Sequence, residues 1–468
     1  MSDADIAFKG VAELGALLRA KQLSSVELTN LYLRRLQRFG PRLNAIVTLM
    51  PERALAEAKA ADRDLAAGTD RGPLHGIPYG VKDLLAARGA PTTWGAQPYR
   101  AQRFDFDARA VEKLADAGGV LLAKLAMIEL SGVMNYNQAD ASFTGPCKTP
   151  WSEHHWSGGS SSGSGACVAG GLVGYALGSE TSGSILNPSS YCGATGLRPT
   201  YGCVSRYGAM PLSWTLDKVG PITRSADDAL TVFKQIAGRD PRDKTAVGSQ
   251  SPVPAPPPGR RWRLGVLKDA AKKAQSEVRH NFEKSLAALA DHASLETVSL
   301  PDFPYDAMIS AIIAAEGGSI FREIIEDGRV QTLRDPVGRR GGYAYLVTYA
   351  VDYVDAMRRR VQVRQAFRAL FEKIDAIVAP TFATVAYPID STFDKVYPGT
   401  GETNIIEAGN LAGLPAISVP NGFGLHGLPT GLSFMGPAFS ESNLAALANV
   451  LQHPAALEQR VRPALTNA

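Results

Sequence analysis

Residues 156–179 contain no Asp, Glu, Lys or Arg. The run is built of Gly, Ser and Ala with a few aliphatic residues, rather than of Leu and Phe. A bilayer span needs about 20 mostly apolar residues, and the glycine and hydroxyl content here is too high for one. A long uncharged stretch of small side chains predicts instead a buried loop, helix and strand packed at close range. Two clusters stand out in the wider stretch 157–200. Gly158-Gly159-Ser160-Ser161-Ser162-Gly163 precedes a helical run over 166–172, and Thr181-Ser182-Gly183-Ser184 follows a strand-like run over 173–178. Serines at a helix start can cap it, and the helix dipole favours negative charge there. A tight turn of small residues before Ser184 frees backbone N–H groups to converge on one point, as holding an oxyanion requires. Either cluster alone reads as an ordinary Ser/Gly loop.

A third segment lies upstream, Leu74-His75-Gly76-Ile77-Pro78-Tyr79-Gly80-Val81-Lys82-Asp83. Residues 77–81 read as a short buried strand with Lys82 at its end. A desolvated lysine loses basicity and becomes able to take a proton. The bland reading is a surface lysine, which fits most of the 49 Lys and Arg residues. Together the three segments resemble the amidase signature family. The match rests on GVKD at 80–83, GGSSSG at 158–163, TSGSI at 181–185 and CGATGLRPTYG at 192–202. It continues through VSRYGAMPLSWTLDKVGPITRS at 204–225, NLAGLPAISVP at 410–420 and GLPTGLSFMG at 427–436.

The resemblance implies a Ser–Ser–Lys triad. Lys82 would be the general base, Ser160 the bridging serine after a cis peptide bond, and Ser184 the nucleophile. The oxyanion donors would be the N–H groups of Thr181, Ser182, Gly183 and Ser184. The implied fold is α/β, a central and mostly parallel mixed sheet flanked by many helices. The implied reaction is hydrolysis of a carboxylic amide, extending to aryl esters or carbamates, without metal or organic cofactor; a homodimer is compatible with it. The alternative is the glutaminase-type subunit of a tRNA-dependent amidotransferase, which releases ammonia for a partner. A noncatalytic binding protein on the same fold is disfavoured by the intact Lys82, Ser160 and Ser184. The family turn usually reads Asp-x-Gly-Gly-Ser-Ile-Arg, and here it is Glu180-Thr181-Ser182-Gly183-Ser184-Ile185-Leu186. The missing arginine leaves neutral Leu186 and Asn187 as candidates for substrate contact. A turn without a charged anchor suits neutral acyl groups, anilides and aryl carbamates better than free glutamine.

Composition fits this frame. Hydrophobic residues make up 45% of 468, and the mean hydropathy of -0.07 fits a globular chain with a large core. Length alone suggests about three domains at one per ~150 residues, but no strong linker divides the chain. One domain is therefore expected: N-terminal helices over 1–70, a catalytic core over 71–235, a proline-rich connector at 250–261 and a completing part over 262–468. The 49 basic and 45 acidic residues nearly balance, giving +4, with no support for a nucleic-acid or membrane partner. Cys147, Cys167, Cys192 and Cys203 lack metal-ligand spacing and read as reduced thiols of a cytoplasmic protein. The opening MSDADIAFKG has no apolar signal region.

Taken in order, Ser24 and Glu27 have capping-box spacing ahead of an apolar stripe, and Pro51 opens a second helix. Residues 107–117 read as a helix and 119–125 as a buried strand, an alternation typical of α/β chains. Glu129 after that strand reads as a helix-start carboxylate or a cleft acid. Residues 305–325 predict a long helix interrupted at Gly317-Gly318. Tyr343, Tyr345, Tyr349 and Tyr353 suit either a substrate funnel or a core or subunit contact. Ser161 centres a GxSxG formula, but a nucleophile elbow needs a strand before it, and 153–157 is a poor one. That reading would also need His426 or His453. His154-His155 lack the i, i+4 spacing of a helical zinc pair, and Asp227-Asp228 reads as a helix start rather than a catalytic pair.

Overall fold

The computed structural model describes residues 2–247, 261–401, 403–452, 461–463 and 465. Of the expected connector at 250–261, only Arg261 is among them. The chain opens helically for reasons legible in it. Ser24 Oγ accepts from the Glu27 N–H at the head of the helix Ser25–Leu43, and the Glu27 carboxylate accepts in return from the Ser24 N–H at 2.8 Å. This reciprocal pair satisfies donors that a helix start leaves open. Pro51 opens the helix Pro51–Ala66, which buries Ala54, Ala58 and Ala61.

The strands before the site are β1 (Ile46–Leu49), β2 (Pro78–Lys82), β3 (Val120–Leu125), β4 (Lys148–Thr149), β5 (Ser152–Trp156) and β6 (Tyr175–Glu180). After it come β7 (Thr195–Arg198), β8 (Lys218–Thr223), β9 (Trp262–Leu267) and β10 (Ala293–Val298). The last are β11 (Ala376–Pro380), β12 (Ala416–Phe423) and β13 (Pro429–Met435). One sheet takes the order β1-β3-β2-β6-β8-β7-β12-β13-β11-β9-β10, and β4 with β5 forms a separate hairpin. Strands β2, β3, β6, β8, β11 and β13 are buried along their whole length, so both faces of the sheet are covered there.

The mixed α/β sheet flanked by helices matches the expectation. Its balance is less parallel than expected. β3, β2 and β6 run parallel, as do β11, β9 and β10. The pairs between these two groups, and β1 on β3, are antiparallel. At one of these pairs a short return imposes the direction: only residues 424–428 join β12 to β13, too few for the crossover that a parallel pair requires.

Two local expectations change. The helix Tyr305–Ile320 runs through Gly317-Gly318 and ends at Phe321. These glycines permit contact instead of breaking the helix: a Cβ on Gly317 would stand 2.2 Å from Val133 Cγ2, and one on Gly318 3.0 Å from Tyr345 Cβ. Residues 152–156 do form a strand, but a short one in the separate hairpin, anchored where Trp156 N–H donates to the Tyr387 carbonyl at 2.8 Å. Among the described residues no helix is long and apolar enough to cross a membrane.

Candidate active site

Because β2 is buried throughout, its last side chain, Lys82, lies in the interior with no exposed surface. Its Nζ is 2.6 Å from Ser160 Oγ, 3.0 Å from Ser179 Oγ and 3.4 Å from the Ser179 carbonyl oxygen. Burial brings its pKa down to about 7, against the opposing charges of Asp217 and Glu180. A group that titrates there can both take and return a proton at neutral pH.

Ser160 follows a cis Gly159–Ser160 peptide bond and is fully buried. The loop before it is pinned by Asn187, whose Oδ1 accepts from the Gly159 N–H at 2.8 Å. A Cβ on Gly158 would fall 2.5 Å from that oxygen, and one on Gly159 2.7 Å from the Trp156 ring, so close approach demands both glycines. The Ser161 N–H donates to the Ser184 carbonyl at 3.3 Å, which sets the two serine clusters side by side. Ser184 is 9% exposed, and its hydroxyl has no hydrogen-bond partner among the described residues. The N–H groups of Ser182, Gly183 and Ser184 are likewise unengaged by any described residue. Gly183 has φ +86°, a conformation that L side chains avoid.

Glu180, at the end of β6, organises this turn. Its Oε2 accepts from the Ile185 and Leu186 N–H groups at 2.8 and 3.0 Å, at the head of the helix Leu186–Cys192. Its Oε1 accepts from Arg198 Nη1 and Asn410 Nδ2, each at 2.9 Å. Burial alone would raise this carboxyl, but Arg198, Asn410 and the Leu186 N–H outweigh it and hold it below the usual range. The longer acid at 180 is thus spent on structure. So are the two candidate substrate contacts: Leu186 is 1% exposed within the core, and Asn187 is committed to Gly159.

A cleft of about 290 Å³ reaches this region from one side. Ser179, Thr181 and Asp217 line it with apolar Leu84, Met210 and Trp214, and Arg206, Arg242, Asp243 and Lys244 add charges of both signs to its wall. Thr181 Oγ1 donates to Asp217 Oδ1 at 2.6 Å, and burial raises the Asp217 carboxyl. On its other side the turn meets Ile406 and Phe382, 3.3 and 3.7 Å from where a Cβ on Gly183 would stand. Phe382 packs against an apolar cluster with Tyr136, Trp156, Tyr191, Tyr387 and Phe393. These aromatics come from separate segments with no shared spacing, so the sequence carries no signal of them. The tyrosines that suggested a funnel lie elsewhere: Tyr343 and Tyr349 are exposed, and Tyr353 donates to Glu316 at 3.1 Å.

The remaining sequence candidates serve the fold. Ser161 is fully buried; its Oγ donates to the Ser179 carbonyl at 3.1 Å and accepts from the Ser179 N–H at 3.2 Å. The His426 ring lies tilted with its centroid 5.4 Å from that of His155, and His453 lies outside the described residues. His155 bonds Ser152 Oγ at 2.8 Å, and no three metal-ligating residues cluster among the described residues. Asp227 and Asp228 do open a helix, Ala226–Ile236. Glu129 starts a 3-10 turn and accepts from the Arg334 and Asp335 N–H groups, both at 2.9 Å.

A family model described as Amidase matches residues 27–445. The chain is 35% identical to a glutamyl-tRNA(Gln) amidotransferase subunit of Dehalococcoides mccartyi, over 94% of its own length and 96% of that protein's. Among solved structures it resembles native peptide amidase from Stenotrophomonas maltophilia, with a TM-score of 0.84 and 31% identity, covering 97% of this chain and 98% of that one. It also resembles a chain from a vestigial protein complex bearing on the origins of an s-triazine catabolic enzyme. There the TM-score is 0.87 at 29% identity, covering 95% of this chain and 98% of that one.

Proposed function

The chain belongs to the amidase signature family, and from that membership we propose that it hydrolyses carboxylic amides through an acyl-enzyme on Ser184. The observation that carries this reading is the buried Lys82, near-neutral in pKa and 2.6 Å from Ser160 beside the Ser184 turn. The substrate carbonyl docks at the turn. Ser184 Oγ attacks its carbon while the proton passes to Ser160 and from Ser160 to neutral Lys82. The N–H groups of residues 181–184 hold the oxyanion. The proton returns through Ser160 to the leaving nitrogen, the C–N bond breaks, and water cleaves the acyl-enzyme by the reverse relay. The sequence of steps calls for no metal or organic cofactor. Aryl esters and carbamates present the same carbonyl and fit the same scheme.

A fluorophosphonate probe tests the assignment. It should modify Ser184 in the native protein and fail on Ser184→Ala. Modification at Ser161 instead would move the chemistry to the other serine cluster.

A second reading has its own support: relatives at 34–36% identity are glutamyl-tRNA(Gln) amidotransferase subunits. On that reading glutamine is the amide, and the ammonia goes to a partner chain. Assays of the purified chain alone, on free glutamine and on a panel of anilides, aryl esters and carbamates, separate the two, with a pull-down to find an obligate partner.

A further inference from the structure

Lys82 has three polar neighbours and, as a neutral amine, two N–H bonds and one lone pair. The acyl-transfer scheme works only if the lone pair faces Ser160. The Ser179 carbonyl can only accept, so it takes one N–H. The second N–H and the lone pair are then shared between the hydroxyls of Ser160 and Ser179. Ser160 is fully buried, and Lys82 is its hydroxyl's one hydrogen-bond partner among the described residues. Ser179 is 8% exposed and lines the cleft, so its hydroxyl hydrogen can be given to solvent while its oxygen accepts from Lys82.

We propose that Ser179 is a positioning residue for Lys82: its hydroxyl and carbonyl oxygens take both N–H bonds of the neutral amine and turn the lone pair onto Ser160. This rests on the reading of Lys82 as the base. Ser179 is itself held in place. Ser161 Oγ donates to its carbonyl at 3.1 Å and accepts from its N–H at 3.2 Å. That clamp gives the otherwise unassigned Ser161 hydroxyl a purpose one step further back. The charged groups facing Lys82 are Asp217 and Glu180, the latter ion-paired to Arg198. Both carboxylates would remain in Ser179 variants, so a change in pH response there reports on the hydroxyl.

The experiment compares Ser179→Ala and Ser179→Thr with the parent on any amide the enzyme cleaves. Ser179→Ala should lower kcat about tenfold or more with KM little changed. Its rising pH limb should move to lower pH, because the lost oxygen stabilises the lysine cation more than the amine. Ser179→Thr should restore both. If circular dichroism shows the alanine variant unfolded, Ser179→Cys carries the test, since a thiol is a weak acceptor and should shift the limb the same way. An unchanged limb and kcat in the alanine or cysteine variant, or a threonine variant that behaves like alanine, overturns the proposal. Failure of the underlying reading looks different: Lys82→Arg would stay active in an otherwise parental enzyme.

Discussion

At the scale of single residues, the proposed mechanism turns on whether Lys82 is neutral. Only the neutral amine accepts a proton, and its pKa of about 7 places the change near neutrality. Activity should therefore rise with pH through about 7 and level off above it, in a kcat/KM profile. Lys82→Arg should be almost inactive, because a guanidinium stays protonated throughout that range. Ser184→Ala should fold and lose activity by several orders of magnitude, read as turnover on a stable backbone signal. The three residues of the proposed relay are legible in the sequence through the resemblance to the amidase signature family, which GVKD, GGSSSG and TSGSI carry. What the sequence does not carry is their surroundings. Ser179 lies 97 residues from Lys82 along the chain and is one serine among many. Leu186 and Asn187 looked like pocket residues because they flank the turn, yet the turn directs one into the core and the other onto Gly159.

Among the elements, the junction of β6 with the helix Leu186–Cys192 is held by one carboxylate. Glu180→Gln removes the partner of a buried arginine and weakens the bonds to two helix-head N–H groups. Breaking a buried pair typically costs about 3–5 kcal/mol, so the urea midpoint should fall sharply. The pH sign follows from the depressed carboxyl: its contribution is full above the ordinary 4.5 and is lost as pH falls through the lower folded value. The helix Ser162–Ala169 is equally constrained. A Cβ on Gly163 would meet Ala45 O at 2.4 Å and Ala126 N at 2.5 Å, both backbone. Gly163→Ala should destabilise by about 1–3 kcal/mol, measured by thermal unfolding. Helix starts and buried strands could be read ahead because caps and apolar runs are local signals. The glycines at 317 and 318 could not, because a glycine that breaks a helix and one that admits a neighbour look alike until the neighbour is placed.

For the whole molecule, the question is which amide reaches the turn. Leu84, Met210 and Trp214 in the cleft and the aromatic cluster beyond Phe382 suit a neutral, partly apolar substrate, whereas Arg206, Arg242, Asp243 and Lys244 in the same cleft suit a charged one. A neutral anilide or aryl carbamate should show higher kcat/KM than free glutamine with the purified chain alone; a clear preference for glutamine would restore the amidotransferase reading. The α/β class was legible from alternating helix and strand patterns. The order of strands was not, since pairing across the sheet joins segments far apart in the chain, β7 with β12 above all. That same enclosure has a practical consequence at the four cysteines. Cys147, Cys167, Cys192 and Cys203 are all unpaired and buried, and burial pushes every thiol up, that of Cys147 to about 12. A protonated, enclosed thiol is a poor nucleophile. The folded protein should thus ignore iodoacetamide and take up label only as it opens, so alkylation becomes a clock for unfolding of the catalytic half that needs no added probe site.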